Sequence, residues 1–306
     1  QALQGRAAGV FVESQNGKVG EGIKVRVRGA TSINGSNEPL YVVDGVPLVG
    51  GIFGSATADL NFNDVESFEI LKDASATAIY GSRGANGVVI INTRRGTSNT
   101  SIVNVEASYG WQSVNRIAET MNARELAQYA VDGLRNKNLD AGKDVSGDPS
   151  SWTYPVQPIP LAILNGSNKT DNNMTRQLLR TAPIAQYSAS AYGGNERMRY
   201  GLSGEYLDQE GVVIGSDFKR YSLRANLDAK LSKRLTVKLN LNPSYTQSNI
   251  MDESTSALYT NYISESPINH AQLWPSYLPA HAADGGYYQY SSAVASPSWN
   301  PLAWVE

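Results

Sequence analysis

The sequence predicts two structures in series: a compact α+β unit over residues 1–99, and from residue 100 the first antiparallel strands, with long loops, of a large transmembrane β-barrel. Three observations predict this. A glycine-punctuated strand–helix–turn–strand segment spans Glu69–Gly96. After Gly96 the pattern changes to five segments of near-strict apolar/polar alternation. The connections between those segments are short and long by turns.

The segment Glu69–Gly96 reads EILKDASATAIYGSRGANGVVIINTRRG. It predicts a strand at Phe68–Leu71, a brief helix through Ala74, Ala76, Ala78 and Ile79, and an apolar strand at Val88–Ile91. Asp73 is the expected N-cap, its carboxylate accepting from the first-turn amides. Gly81, Gly84 and Gly87 are expected to supply positive φ where the chain turns. A phosphate-cradling loop is excluded by order. Such a loop follows a strand and opens a helix, with GxGxxG spacing; here the helix precedes the strand and the spacing is GxxGxxG.

Upstream, Val10–Val12 is a short strand. Ile23, Val25 and Val27 alternate with Lys24, Arg26 and Arg28, the period of a half-buried strand. Leu40–Val46 is a strand broken at Asp44-Gly45, a favoured hairpin dipeptide. Gly29–Asn37 and Val49–Asn63 are polar or small-residue loops. Arg26, Arg28, Arg94 and Arg95 suit either a solvated face or donors toward acidic groups on an enclosing wall.

The five alternating segments are Val103–Trp111, Ala185–Ala191, Met198–Tyr206, Tyr221–Lys230 and Leu235–Tyr245. Each approaches the ~9–11 residues that a tilted strand needs to cross a bilayer. Gly193–Glu196 and Ser232–Arg234 are tight turns; Gln112–Ile184, Asp208–Asp217 and Asn249–Glu306 are longer connections. Short turns at one end and long loops at the other mark transmembrane barrels. On the apolar faces, Tyr109, Trp111, Tyr187, Tyr206, Tyr221 and Tyr245 all fall at the long-loop end, where amphipathic rings favour a lipid interface. Tyr200 lies nearer the other end. Glu106, Arg199, Glu205, Arg224, Asp228 and Lys238 are expected to face inward.

The first long connection holds a helix candidate, Asn122–Asn136, with an N-x-x-E capping pattern at Asn122 and Glu125 and Leu126, Tyr129, Ala130 and Leu134 at helical spacing. The tail Ser266–Glu306, with Trp274, Tyr287, Tyr288, Tyr290, Trp299 and Trp304 among prolines, has no regular period. Its aromatics suit a sugar platform or the filling of loops and interfaces.

Composition narrows the function. With 26 basic and 28 acidic residues the formal charge is −2, so bulk electrostatics offer nothing to nucleic acid. There is no cysteine, which removes thiolate sites and disulfides. The two histidines, His270 and His281, lack a carboxylate pattern, and no metal site or cofactor is expected. No nucleophile, base and orienting group can be nominated together, so an enzyme is not expected. No run reaches eighteen apolar residues, excluding a transmembrane helix, and no signal peptide is expected at Gln1. Five strands cannot close into a barrel, and an open edge in hydrocarbon leaves unpaired amides. The chain therefore reads as a piece of a larger barrel. One wide enough to admit a domain of about a hundred residues is of the twenty-two-strand plugged kind.

The Glu69–Gly96 segment, together with IKVRVRGATSINGSNEPLYVVDGVPL at Ile23–Leu48, resembles the plug domain of TonB-dependent outer-membrane transporters, specifically the SusC/RagA (starch-utilisation) type. The turn Gly193–Glu196 and the segment YLDQEGVVIGS at Tyr206–Ser216 are similar to that family as well. The resemblance implies a plug over 1–99 inside a barrel in the Gram-negative outer membrane, importing oligosaccharide or oligopeptide. It implies a SusD-like surface lipoprotein as lid, TonB acting through a segment before Gln1, contact with outer-membrane lipid, and a dimer of transporter–lipoprotein pairs. On that implication the plug loops Ala30–Asn37 and Val49–Asn61 face the cargo. Asn34, Asn37, Phe53 and Asn61 are the candidate contacts, because amides and one aromatic face suit a neutral sugar or peptide. A secreted carbohydrate-binding β-sandwich is the rival reading.

Overall fold

The computed structural model describes residues 11–14, 19–20, 23–27, 37–48, 61–97, 101–250, 267–288 and 300–305. Two compact units emerge. The first comprises Gln1–Gln112, Ala182–Gly211 and Asp217–Asn249; the second comprises Ser113–Thr181, Val212–Ser216 and Ile250–Glu306.

In the first unit, β1 (Phe11–Ser14) pairs antiparallel with β2 (Ile23–Arg26). A four-stranded sheet follows, with β3 (Leu40–Val43), β4 (Val46–Pro47), β5 (Val65–Leu71) and β6 (Val88–Thr93) in the order β4-β3-β6-β5. The expected hairpin forms at Asp44-Gly45, both with positive φ (49° and 88°), as a two-residue primed turn requires. β3 and β6 run parallel, joined through β5 and α1 (Ala74–Thr77). Val25, Val27, Tyr41, Val43, Val65, Val89 and Ile91 form the core. Burial, with Glu38 adding to it, keeps the Tyr41 hydroxyl protonated far above the ordinary tyrosine range.

Two expectations are corrected here. Asp73 occupies the N-cap position but its side chain caps nothing; it is exposed, so water solvates the carboxylate instead. The helix is a single turn that runs into a 3₁₀ segment kinked at Gly81. Gly81 and Gly87 have positive φ, but Gly84 does not. Gly84 is small because a Cβ there would sit 2.9 Å from the Thr77 carbonyl oxygen.

β7 (Ser101–Gln112) begins the second sheet. After it come β8 (Ala182–Gly194), β9 (Met198–Glu210), β10 (Asp217–Lys230), β11 (Thr236–Leu241) and β12 (Ser244–Asn249), each antiparallel to its neighbour. β11 and β12 both pair with β10 in one register, Ala225↔Leu241 and Ser222↔Ser244, interrupted at Pro243. Proline cannot donate to a ladder, although its carbonyl still accepts from Leu223 at 3.0 Å. The tight turns form as read: Asn195 Oδ1 accepts from the amides of Arg197 and Met198, and Ser232 Oγ from those of Arg234 and Leu235. The Asp208–Asp217 connection is shorter than expected, because β9 reaches Glu210 and β10 starts at Asp217.

In the second unit α2 (Ala123–Asp140) carries the capping box reciprocally between Asn122 and Glu125. Its buried side is Ala123, Ala127 and Asn138, and Tyr129 is 65% exposed rather than packed. Asn138 earns its burial by bonding the carbonyls of Leu134 and Tyr154 and the Tyr154 amide. α3 (Pro158–Leu164) and α4 (Met174–Gln177) follow in this unit, and α5 (Pro267–Leu273) and α6 (Leu302–Val305) lie in the tail. The tail packs with Met174, Leu178, Ala271, Trp274, Leu278 and Leu302. Trp274 is therefore loop core and not an open platform; Tyr290 and Trp299 lie outside the described residues.

Gly96 lies where a Cβ would collide with the carbonyl oxygens of Gly193 and Tyr200 on β8 and β9. Both are backbone atoms and cannot rotate away. Gly96→Ala is expected to destabilise the first unit by about 2 kcal/mol, an overpacking cost, read as a lower midpoint in thermal unfolding of the purified protein.

Candidate functional site

The site grows from one end of the small sheet, where β3 and β6 finish and β5 begins. Asp44 sits in the left-handed turn after β3, next to the end of β6. Its carboxylate accepts from the Thr93 amide (3.1 Å) and the Thr93 hydroxyl (2.6 Å). It also accepts from Arg224 Nη1 on β10 (3.2 Å) and lies 3.8 Å from Arg95 Nη2. Asp64 ends the 3₁₀ turn before β5. It accepts from the Tyr192 hydroxyl of β8 (3.2 Å) and pairs with Arg224 Nε (3.5 Å). A single wall guanidinium thus holds two turns of the α+β unit, and all three side chains are nearly fully buried.

β10 supplies the rest of the seat from the same face. Asn226 Nδ2 reaches Thr93 Oγ1 (3.4 Å), and Asp228 accepts from Arg95 Nη1 (3.3 Å). Register places Arg199 and Lys238 on either side of Asp228. Higher on the strand, Phe218 covers Gly20, and Arg220 pairs with Glu205, which also accepts from Gln186. A polar cavity of about 190 Å³ lies beside the seat, between Asn63, Asp64 and Arg94 on one side and Asn104, Glu106, Ser190 and Ser203 on the other.

The opposite face of the same sheet is apolar. Val105, Leu223 and Leu239 are 75%, 49% and 42% exposed, while Arg224 is 4% exposed. Direct pairing stacks Tyr187, Tyr206, Tyr221 and Tyr245 in one row, with ring centroids 6.4, 4.8 and 6.3 Å apart. Tyr109 and Trp111 continue the aromatic end on β7, 5.2 Å apart. From Tyr221 the outward column runs Leu223, Ala225, Leu227, Ala229 and Leu231. Ten residue steps at ~3.3 Å, tilted by roughly 40°, give an apolar band about 25 Å tall, the height of a transmembrane barrel's lipid face.

These faces decide the comparison with known proteins. The family described as TonB-dependent Receptor Plug Domain matches residues 1–88. The chain is 37% identical over 307 residues to TonB-dependent receptor P26 of Formosa agariphila and 30% identical over 321 residues to TonB-dependent receptor SusC of Bacteroides thetaiotaomicron. Each alignment covers 99% of this chain but only 27% and 29% of the relative. The structure of the RagAB peptide importer superposes with a TM-score of 0.70 at 28% identity, covering 99% of this chain and 34% of that one. The chain is similar to TonB-dependent receptors of the SusC/RagA type, and its residues 1–88 match their plug domain. It spans about a quarter to a third of such a receptor, comprising the plug and an antiparallel run of wall strands.

Of the residues expected to meet cargo, Asn34 and Phe53 lie outside the described residues. Asn37 is half-buried just before β3. Asn61 is 3% exposed, and its side chain accepts from the Asn63 amide (2.9 Å). It thereby shapes the turn that presents Asp64. The plug arginines divide: Arg95 faces wall Asp228, Arg94 lines the seam cavity, Arg26 is exposed, and Arg28 is outside the described residues. Asp44 and Asp64 are absent from the sequence-derived candidates. The only available signal was the Asp-Gly dipeptide, which marks a turn and says nothing of the carboxylate's partners.

Arg224→Leu removes the cation between two buried carboxylates. It is expected to cost about 3–5 kcal/mol, read as faster hydrogen exchange at the Asp44 and Thr93 amides. Asp64→Asn is expected to cost less, since Asp44 retains the arginine.

Proposed function

We propose that the chain forms the plug and adjoining wall of an active outer-membrane importer. The supporting observation is the two-faced sheet, whose polar face seats the α+β unit through Arg224 while its other face carries a bilayer-high apolar band ending in a tyrosine row. On this reading residues 1–99 are the plug and residues 100–306 the first part of the barrel with its outer loops. The plug closes the lumen, and the buried ion pairs set how readily it moves. Energy comes from TonB acting through a segment before Gln1. A SusD-like lipoprotein works over the outer mouth, with transporter–lipoprotein pairs assembling as dimers.

The cargo is an oligopeptide or oligosaccharide. Peptide is favoured by the similarity to the RagAB peptide importer. Asn34, Asn37 and Phe53 are the proposed plug contacts, with Asn61 acting through the turn it holds. Alanine at each of the first three should weaken cargo binding by the full-length receptor without lowering its abundance in the outer membrane. Unchanged affinity would remove them from the site.

Charge reversal at the seat tests the gating role. In the complete receptor reconstituted in a planar bilayer, Arg224→Glu should open a measurable leak conductance, because three acidic groups then face one another. A silent bilayer with normally folded protein would detach the seat from gating. The β-sandwich alternative predicts a protein that is soluble and monomeric without detergent.

A further inference from the structure

The second compact unit carries a groove that the seat and the plug do not use. It has a volume of about 290 Å³, at the low end for ligand pockets and suited to one or two side chains. Met121, Leu126, Met174 and Leu273 supply its apolar lining, with Thr120, Gln272 and Ser276 as polar neighbours. None of its lining residues carries a charge. Met121 and Leu273 stand exposed at the rim. Ser276 is 6% exposed, and its hydroxyl has no hydrogen-bond partner among the described residues.

The lining distinguishes between neutral ligand classes. Sugars are recognised by stacking on an open aromatic face. The only aromatic among the described lining residues, Trp274, is 5% exposed, its indole N–H donates to the Leu278 carbonyl (3.4 Å), and its ring meets Tyr288 edge-on. Among the described lining residues no ring face is free. Thioethers and leucines instead form an adaptable apolar socket, with hydroxyl and carboxamide groups placed to pair with peptide amides. We propose that this groove captures an uncharged, apolar side chain of a peptide before it reaches the lumen. The inference rests on the import reading and deepens it by naming the ligand class and a second contact point.

The test uses the full-length receptor in detergent and the blocked pentapeptide acetyl-Ala-Ala-Leu-Ala-Ala-amide, with an Asp-for-Leu version and maltoheptaose as competitors. Met121→Glu and Leu273→Glu place a charge on the rim without touching the core. Each is expected to weaken binding of the leucine peptide about tenfold. Tyr129→Glu, exposed elsewhere on α2, should leave binding unchanged. Competition by the aspartate peptide should be weaker than by the leucine peptide. Unaltered affinity in both rim variants would overturn the proposal, as would rim-sensitive binding of maltoheptaose in place of peptide. Absence of peptide uptake by wild-type cells would count against the import reading, while equilibrium binding would still report on the groove.

Discussion

One guanidinium, that of Arg224, lies between the carboxylates of Asp44 and Asp64, and the first unit depends on that arrangement. Burying a charge is costly unless it is paired, and breaking a buried pair leaves the remaining charge uncompensated. Asp44 opens one turn of the α+β unit and Asp64 ends another. Only a placement that brings both turns to the same wall residue satisfies all three groups. Thr93, bonded to Asp44 and approached by Asn226, and Arg95, bonded to Asp228, add constraints along the same strand. The plug is therefore registered by polar chemistry, and its valine- and isoleucine-rich core serves to make its own turns rigid.

This seat is possible because β10 has a strict period of two. Arg224, Asn226 and Asp228 face the plug while Leu223, Ala225 and Leu227 face away. A one-residue slip would exchange these faces, taking Arg224 into the apolar band and Leu223 against two carboxylates. The registered tyrosines add a second constraint on the same ladder. Tyr187, Tyr206, Tyr221 and Tyr245 share one height only in the pairing that also places Arg224 at the plug. The height of the tyrosine row and the position of the plug are thus fixed by a single register.

The second unit follows a different logic. Ala123, Ala127 and Asn138 of α2 and the aromatic tail build small cores of loop residues. Its helix start was legible because a capping box is local, and both of its bonds form. Its packed face was less legible, since Tyr129 lies three residues and Ala130 four residues after Leu126, and only the partner surface selects between them. The same holds for Trp274, whose sequence surroundings suited a platform equally well. Asp73 shows the limit of local chemistry. The residue type is right for a cap, but a one-turn helix with an exposed end lets water take the carboxylate.

Local pattern determined the α+β unit, the five alternating segments, the Asp-Gly hairpin, the tight turns and which side of each strand is apolar, because each depends on neighbours within a few residues. The tertiary structure decided which charges meet. Asp44 and Arg224 lie 180 residues apart, and no spacing along the chain encodes their pairing. It is set by where two turns of one sheet come to rest against a single strand of another, and burial there makes any other partner too costly.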